Sequence, residues 1–240
     1  MHAHKTLIII PAYNEAGNIK KTIDAILALQ AAVDILVVDD GSADQTVKEA
    51  QQTFAFVISL PFNLGVGGAV QTGFQFALRN HYDIAVQVDG DNQHDVSFLP
   101  TLLASVVKHE ADIVIGSRFL RPFLGYRSSF VRRIGIHFFA YLISFLTRYQ
   151  ITDPTSGFRA YSRKAIRVFA FDYPHDFPEP EAIVVAKRLG LKVVEVPVEM
   201  RQRMAGNSSI RYLTTLYYMI KVTFAILLNM IKKRKVTELC

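Results

Sequence analysis

Four short polar clusters, each set at the end of an apolar run, constrain this chain more than any other feature. Thr6 to Ile10 is a β-branched run ended by Pro11, and Pro11-Ala12-Tyr13-Asn14-Glu15 follows. Ile35 to Val38 runs into Asp39-Asp40-Gly41-Ser42. Phe54 to Leu60 leads to Asn63-Leu64-Gly65-Val66-Gly67-Gly68. Asp83 to Val88 delivers Asp89-Gly90-Asp91-Asn92-Gln93-His94. Short apolar runs of this kind read as strands buried on both faces. Between them, Ile19, Ile23, Ile26 and Leu27 recur at helical spacing, and the glycine-rich loop opens a helix running to Asn80. Ser42 with Gln45 three residues on reads as a capping box for the helix after the second strand. A fifth strand is expected at Ile113 to Ile115, a helix opened by Phe177-Pro178-Glu179-Pro180-Glu181 and running through Arg188, and a further strand at Val193 to Val198. Strands alternating with helices imply a parallel sheet with right-handed crossovers. Ligands of such sheets bind beyond the carboxyl ends of the strands, where all four clusters lie. Glycine, asparagine and aspartate are also what turns need, so the coincidence of the four carries the inference. Gly65-Gly67-Gly68 has neither P-loop nor dinucleotide spacing and reads first as a tight turn with a helix start.

Asp89 and Asp91 are one residue apart, so in an extended strand their side chains point to the same side. Gly90 between them lets the backbone turn and a bulky ligand approach. Two carboxylates that near repel each other. A divalent cation relieves the repulsion, and oxygen ligands suit Mg²⁺ or Mn²⁺ holding a diphosphate. The competing reading is a polar loop after a buried strand.

The 240 residues carry a net charge of +6, unevenly spread. Met1 to Ser117 holds 6 Lys and Arg against 13 Asp and Glu, whereas Arg118 to Cys240 holds 21 against 8. A metal site in the acidic half and an anion or membrane site in the basic half account for the split. The basic residues sit among aliphatic and aromatic runs, which fits lipid better than nucleic acid. The one cysteine, Cys240, excludes an internal disulfide and suits a reducing compartment. The first residues enter a strand with no signal-peptide pattern.

Pro11-Ala12-Tyr13-Asn14-Glu15, Val38-Asp39-Asp40-Gly41-Ser42, Asn63-Leu64-Gly65 and Asp89-Gly90-Asp91 resemble the family 2 glycosyltransferases in order and approximate spacing. The resemblance implies the GT-A fold, an α/β architecture with a mostly parallel sheet flanked by helices. It implies an inverting transfer from a nucleotide diphosphate sugar, assisted by Mg²⁺ or Mn²⁺. It sets Pro11, Tyr13, Glu15, Asp39, Asp40, Gly68 and Gly90 around the nucleotide sugar, and matches Asp89 and Asp91 to the metal-binding Asp-x-Asp.

Gln93-His94 is similar to the Gln-His of dolichyl-phosphate mannose synthases and related polyprenyl-phosphate glycosyltransferases, where the Gln is a further metal ligand. By that resemblance Arg118, in Gly116-Ser117-Arg118-Phe119, contacts the acceptor phosphate, a task suited to a planar guanidinium that grips phosphate bidentately. Arg132 and Arg133 resemble an Arg-Arg pair that begins an acceptor-binding helix. That helix carries a serine whose place here is Ile136 or His137, according to which arginine is aligned. Thr152-Asp153-Pro154-Thr155-Ser156-Gly157-Phe158-Arg159 resembles the same group's Asp-x-x-Ser-Gly-Phe-Arg, with Asp153 facing the donor sugar or metal and Ser156 on the acceptor side. Arg159 is open to a second reading, as the partner of Asp153. Glu181 falls near the place of an acidic sugar contact. Arg201 and Arg203 would clamp the donor diphosphate from a flexible loop.

Tyr212 to Ile231 is twenty residues with one charge, Lys221, and Lys232-Lys233-Arg234-Lys235 follows. The length permits a span, but a central lysine costs roughly 3 kcal/mol against insertion. Leu213, Leu216, Tyr217, Ile220, Phe224, Leu227 and Ile231 share one helical stripe, which fits a helix lying in the membrane interface with a basic end. The alternative is a helix packed on the domain or on a second subunit. The expected organisation is a GT-A domain over 1–209 and a membrane-associated extension over 210–240. The expected function is sugar transfer from a nucleotide diphosphate sugar to a polyprenyl phosphate at the cytoplasmic face of a membrane. Its rivals are transfer to a saccharide hydroxyl in cell-surface polysaccharide synthesis, and a non-catalytic nucleotide-sugar-binding protein.

Overall fold

The computed structural model describes residues 4–121, 130–201 and 212–231, with side chains described from Arg133 and from Met219 in the last two segments' helices. In chain order the elements are β1 (Thr6–Ala12), α1 (Ile19–Leu27), β2 (Val33–Asp39), α2 (Thr46–Gln51), β3 (Phe56–Ser59), α3 (Gly65–Arg79), β4 (Ile84–Gln87) and α4 (Leu99–Val107). Then follow β5 (Ile113–Ser117), α5 (Phe130–Thr147), β6 (Arg159–Ser162), α6 (Arg163–Phe169), α7 (Pro178–Arg188), β7 (Val193–Pro197) and α8 (Tyr212–Ile231).

β1 is buried over its whole length because it lies in mid-sheet, between β2 and β4. The strand order is β3-β2-β1-β4-β6-β5-β7. Every pair is parallel except those of β6, which runs antiparallel between β4 and β5. Alternation along β1 divides the core. Leu7 and Ile9 join Phe74, Phe139, Ile183, Val222 and Ile226 on one face, while Ile8 and Ile10 join Ile19, Ile23 and Leu102 on the other. The result is a mostly parallel α/β sheet with helices on both faces, the architecture the resemblance implied.

Three differences from the sequence reading have local causes. β1 continues through Pro11 to Ala12. In a parallel strand alternate residues turn their polar groups to alternate sides; Ile9 O accepts from Val88 N on the β4 side and Ala12 O from Asp40 N on the β2 side. The missing N–H of Pro11 therefore faces past the end of β4, where no ladder bond is lost. Ser42 and Gln45 do not form a capping box: α2 starts at Thr46, whose N–H donates to Asp44 Oδ1 at 2.9 Å, and Ser42 Oγ instead accepts from Asn14 N. β6 and α6 are too short to show a period, whereas α4 carries Leu99, Leu102 and Val106 at helical spacing, a signal the sequence reading passed over.

α8 packs on α7. Val222 and Ile226 are fully buried in the core, and the Asn229 side-chain amide donates to Glu181 Oε2. The helix of the 210–240 extension thus shares the main hydrophobic core. Of its expected apolar stripe, Ile220, Phe224, Leu227 and Ile231 are exposed, while the Leu213, Leu216 and Tyr217 side chains lie outside the described residues. Among the described residues no helix is long and apolar enough to cross a membrane.

Candidate active site

The carboxyl ends of β1, β2, β4, β5 and β7 and the amino end of antiparallel β6 meet at one edge of the sheet. Backbone amides tie the first two loops there. Asn14 N donates to Ser42 Oγ at 2.9 Å, Ala43 N to Asn14 Oδ1 at 2.9 Å and Glu15 N to Thr46 Oγ1 at 2.8 Å. Asp39 and Asp40 are buried, and Asp40 Oδ1 accepts from Leu64 N at 2.7 Å, which binds the β2 end to the start of α3. Gly41, at φ +76°, turns this loop where a side chain would meet the backbone of Phe62 and Asn63. Pro11 is buried and the Tyr13 ring stands half in solvent. Gly68 has a packing role, since a Cβ there would lie 2.5 Å from Leu64 Cβ.

β4 ends at Gln87, and Asp89, Gly90, Asp91 and Gln93 follow on a tight loop. Gln93 N donates to Asp91 Oδ1 at 3.0 Å, and Asn92 takes the left-handed conformation that the turn needs. Gly90 packs beside Pro11 O and the Glu15 side chain, so the first and fourth loops adjoin. The Asp89 side chain is 38% exposed. Its carboxyl rests over Gly157, where an added Cβ would lie 2.6 Å from Oδ1. His94 is buried, stacks on Phe158 and accepts from Asp89 N at Nδ1, 3.2 Å away. Nε2 therefore carries the proton and lies 3.5 Å from Asp89 Oδ2. Burial lowers the His94 pKa to about 4, against the opposing pull of Asp91, so the ring is neutral at pH 7. It braces the loop.

Arg118, just past β5, faces Asp153. Nε reaches Asp153 Oδ2 and Nη2 reaches Oδ1, each at 2.6 Å, and Nη2 also reaches Thr155 Oγ1 at 2.8 Å. Asp153 is fully buried. Burial opposes the Arg118 charge, but Asp153 more than offsets it and the guanidinium pKa is raised. The bidentate edge of Arg118 therefore holds a carboxylate, while Nη1 donates to the weak thioether acceptor Met200 Sδ at 3.5 Å and keeps a second N–H for a ligand. Arg159 is not the partner of Asp153: it is buried and donates to the carbonyls of Ser156, Pro154 and Glu179 at 2.7–2.8 Å.

Burial first, then Glu15, pushes the Asp89 carboxyl above its ordinary range, while Gln87, Arg118 and Arg159 pull it down. Burial also raises Glu179, and Asp89 adds to that rise. Glu179 thus belongs to the same electrostatic neighbourhood, and its place in an acidic helix start gave only a generic signal. Asp89, Asp91 and Gln93 are hard oxygen donors of the kind Mg²⁺ and Mn²⁺ take. The Asp89 and Asp91 carboxylates one residue apart on a tight loop, with the glycine floor beneath Asp89, fit a bound cation. Among the described residues no three His, Cys, Asp or Glu side chains converge, so the Gln93 amide and a ligand's own oxygens would complete such a site.

Other expected contacts fall elsewhere. Ser156 is buried and its Oγ accepts from Phe158 N, within its own turn. Glu181 is a strut beneath α8, accepting from Phe177 N at 3.2 Å and from Asn229. Arg201 pairs with Asp95 at 3.0 Å, and its N–H donates to Gln93 O at 2.7 Å, so it braces the β4 loop. Arg203 and the Arg132 side chain lie outside the described residues. Arg133 is exposed on α5, and of the two serine-equivalent positions Ile136 is in the core, while His137 is exposed with its ring 5.4 Å from that of Phe119.

The chain matches the family model for glycosyl transferase family 2 over residues 7–169. It is 31% identical over 224 residues to the undecaprenyl-phosphate mannosyltransferase of Micrococcus luteus, covering 85% of this chain and 86% of that one. It is 34% identical over 214 residues to the polyprenol monophosphomannose synthase of Mycolicibacterium smegmatis, covering 85% and 80%. A similar solved fold is glucosyl-3-phosphoglycerate synthase from Mycobacterium tuberculosis in complex with Mn²⁺, UDP and glucosyl-3-phosphoglycerate. Its TM-score is 0.73 at 24% identity, over 98% of this chain and 82% of that one. With these loops gathered at one sheet edge and this match over most of its length, the chain belongs to glycosyl transferase family 2.

Proposed function

We propose that this glycosyltransferase moves a sugar from a nucleotide diphosphate sugar to a polyprenyl phosphate at a membrane surface. The observation that carries the reading is a cation beside the carboxylate pair with an apolar surface alongside it. Arg118 is near enough to Asp89 to lower its carboxyl. His137 on α5 meets Phe119, the next residue after Arg118. From there α5 exposes Ile134, Phe138, Tyr141 and Phe145. α8 touches α5, where a Cβ added at Gly135 would lie 4.0 Å from Met219 Sδ, and exposes Ile220, Phe224, Leu228 and Ile231. A lipid phosphate needs both parts: a cation for its head and an apolar surface for its tail. The named relatives, which act on polyprenyl phosphates, support the same acceptor.

In this reading Pro11, Tyr13, Glu15, Asp39, Asp40, Gly68 and Gly90 line the nucleotide-sugar pocket. Asp89, Asp91 and Gln93 hold a Mg²⁺ or Mn²⁺ ion, which when bound neutralises charge on the leaving diphosphate. Arg118, through Nη1, with Arg132 and Arg133, orients the acceptor phosphate toward the anomeric carbon. A phosphate monoester has a second pKa near 6, so at neutral pH it is largely dianionic and attacks without a general base. A saccharide hydroxyl would need one, and Glu179, beside Asp89, is the carboxyl raised in the required direction.

The test is nucleoside diphosphate release by purified protein with Mn²⁺, a panel of UDP- and GDP-sugars, and three acceptors. Release that depends on undecaprenyl phosphate is expected. Release that depends instead on a free oligosaccharide or on 3-phosphoglycerate would replace the acceptor.

A further inference from the structure

We infer that Glu195 is a positioning residue for the transfer, fixing Asp153 and through it Arg118; this rests on the functional reading above. Glu195 lies in mid-β7, opposite Ile115 of β5. Its carboxylate faces the Thr152-Asp153 turn, and among the described residues its donors all come from there. Thr152 N lies 2.9 Å from both oxygens, Asp153 N donates to Oε1 at 2.8 Å, and the Thr152 hydroxyl donates to Oε2 at 2.6 Å.

Proton direction extends this grip to the other side of Arg118. A hydroxyl has one proton, and that of Thr152 is committed to Glu195. The Thr152 oxygen must then accept from the Ser117 hydroxyl, 2.6 Å away. The Ser117 oxygen in turn accepts from Phe119 N at 3.2 Å. One chain thus runs from Glu195 through Thr152 and Ser117 to the backbone just past Arg118. A second runs from Glu195 through the Asp153 backbone to the Asp153 carboxylate and its two bonds to the guanidinium. Both place Nη1, which rests on Met200 Sδ at 3.5 Å and offers its second N–H to the acceptor.

A glutamate is required because every neighbour donates. Glutamine keeps the shape and replaces one acceptor oxygen with a donor, against the Thr152 N–H that spans both oxygens. Losing a partner that orients a contact residue typically costs 10–100-fold in activity. Glu195→Gln should therefore lower kcat/KM for the acceptor by about that factor, while UDP or GDP binding with Mn²⁺ by calorimetry stays as in wild type. The loss should shrink in an Asp153→Asn background to what the Thr152–Ser117 chain alone contributes, because residues acting through one another are not additive. Wild-type transfer by Glu195→Gln, a loss that follows weakened nucleotide binding, or a full additional loss in the Asp153→Asn background would each overturn the assignment. The comparison uses whichever acceptor the wild type turns over in the panel above. A wild type that ignores lipid phosphate thus removes the acceptor reading and leaves the Glu195 comparison readable.

Discussion

A guanidinium has two useful edges, and in Arg118 one is committed to Asp153. The pair is nearly dry, so removing one partner strands the other: Arg118→Ala should lose both transfer and about 3–5 kcal/mol of stability. Arg118→Met with Asp153→Asn removes both charges together, and buried pairs replaced in that way are often neutral in stability. The double variant should melt near wild type and still fail to transfer sugar. Recovery of transfer along with the melting temperature would make the pair a scaffold only. At Asp89, Gly157 forms the floor, and Gly157→Ala would drive a methyl to within 2.6 Å of the carboxylate. That variant, like Asp89→Asn or Asp91→Asn, should cut turnover by orders of magnitude, and EDTA should do the same to wild type. Full activity in EDTA, or in either asparagine variant, would remove the metal reading. The carboxylate pair was legible because its members are neighbours in sequence. The partner of Arg118 was not, because it is 35 residues away and is set by how β5, β6 and β7 lie side by side. Glu195 left a trace, a lone acid in the apolar run Val193–Pro197, but nothing in the sequence named its donors.

At the scale of elements, the parallel strands were readable from apolar runs, since burial on both faces demands them. β6 was not: its four residues, Arg159 to Ser162, include a buried arginine whose charge is satisfied by carbonyls that only the fold supplies. α8 shows the opposite case, a stripe identified correctly whose other face carries the packing. Val222 and Ile226 are fully buried, and Phe224 between them is 62% exposed. Ile226→Ala should therefore cost about 2–5 kcal/mol, which for a chain of this size lowers the melting temperature by about 2–4 °C per kcal/mol. Phe224→Ser should leave it within about 0.5 kcal/mol of wild type, as exposed substitutions do. Thermal denaturation of the two variants decides the matter, and equal melting temperatures would mean that α8 does not dock. Deleting the helix to test membrane binding would confuse the two roles, because it would expose the core beneath.

Across the whole molecule the charge split and the apolar faces lie in the same half. Residues 118–240 hold 21 Lys and Arg against 8 Asp and Glu, and that half contains both α5 and α8. Phe138 and Tyr141 on one helix and Phe224 and Leu228 on the other are exposed side chains of a kind that folding normally buries. A bilayer surface would cover them. Inserting one such side chain is worth about 1.5–3 kcal/mol, and each Lys or Arg near an anionic surface adds about 1 kcal/mol. Both contributions should be separable. Phe138→Ser with Phe224→Ser should weaken binding to vesicles containing an anionic phospholipid by on the order of 100-fold, the product of two such losses, with no change in melting temperature. Raising the salt to 1 M contracts the screening length to about 3 Å, so it should weaken wild-type binding through the charges alone and leave a residue of affinity that the double variant lacks. Co-sedimentation with vesicles reads both effects. Equal sedimentation of wild type and double variant would assign the exposed aromatic face to something other than a membrane, and a concentration-dependent dimer lost in the same variant would identify a second subunit as its cover.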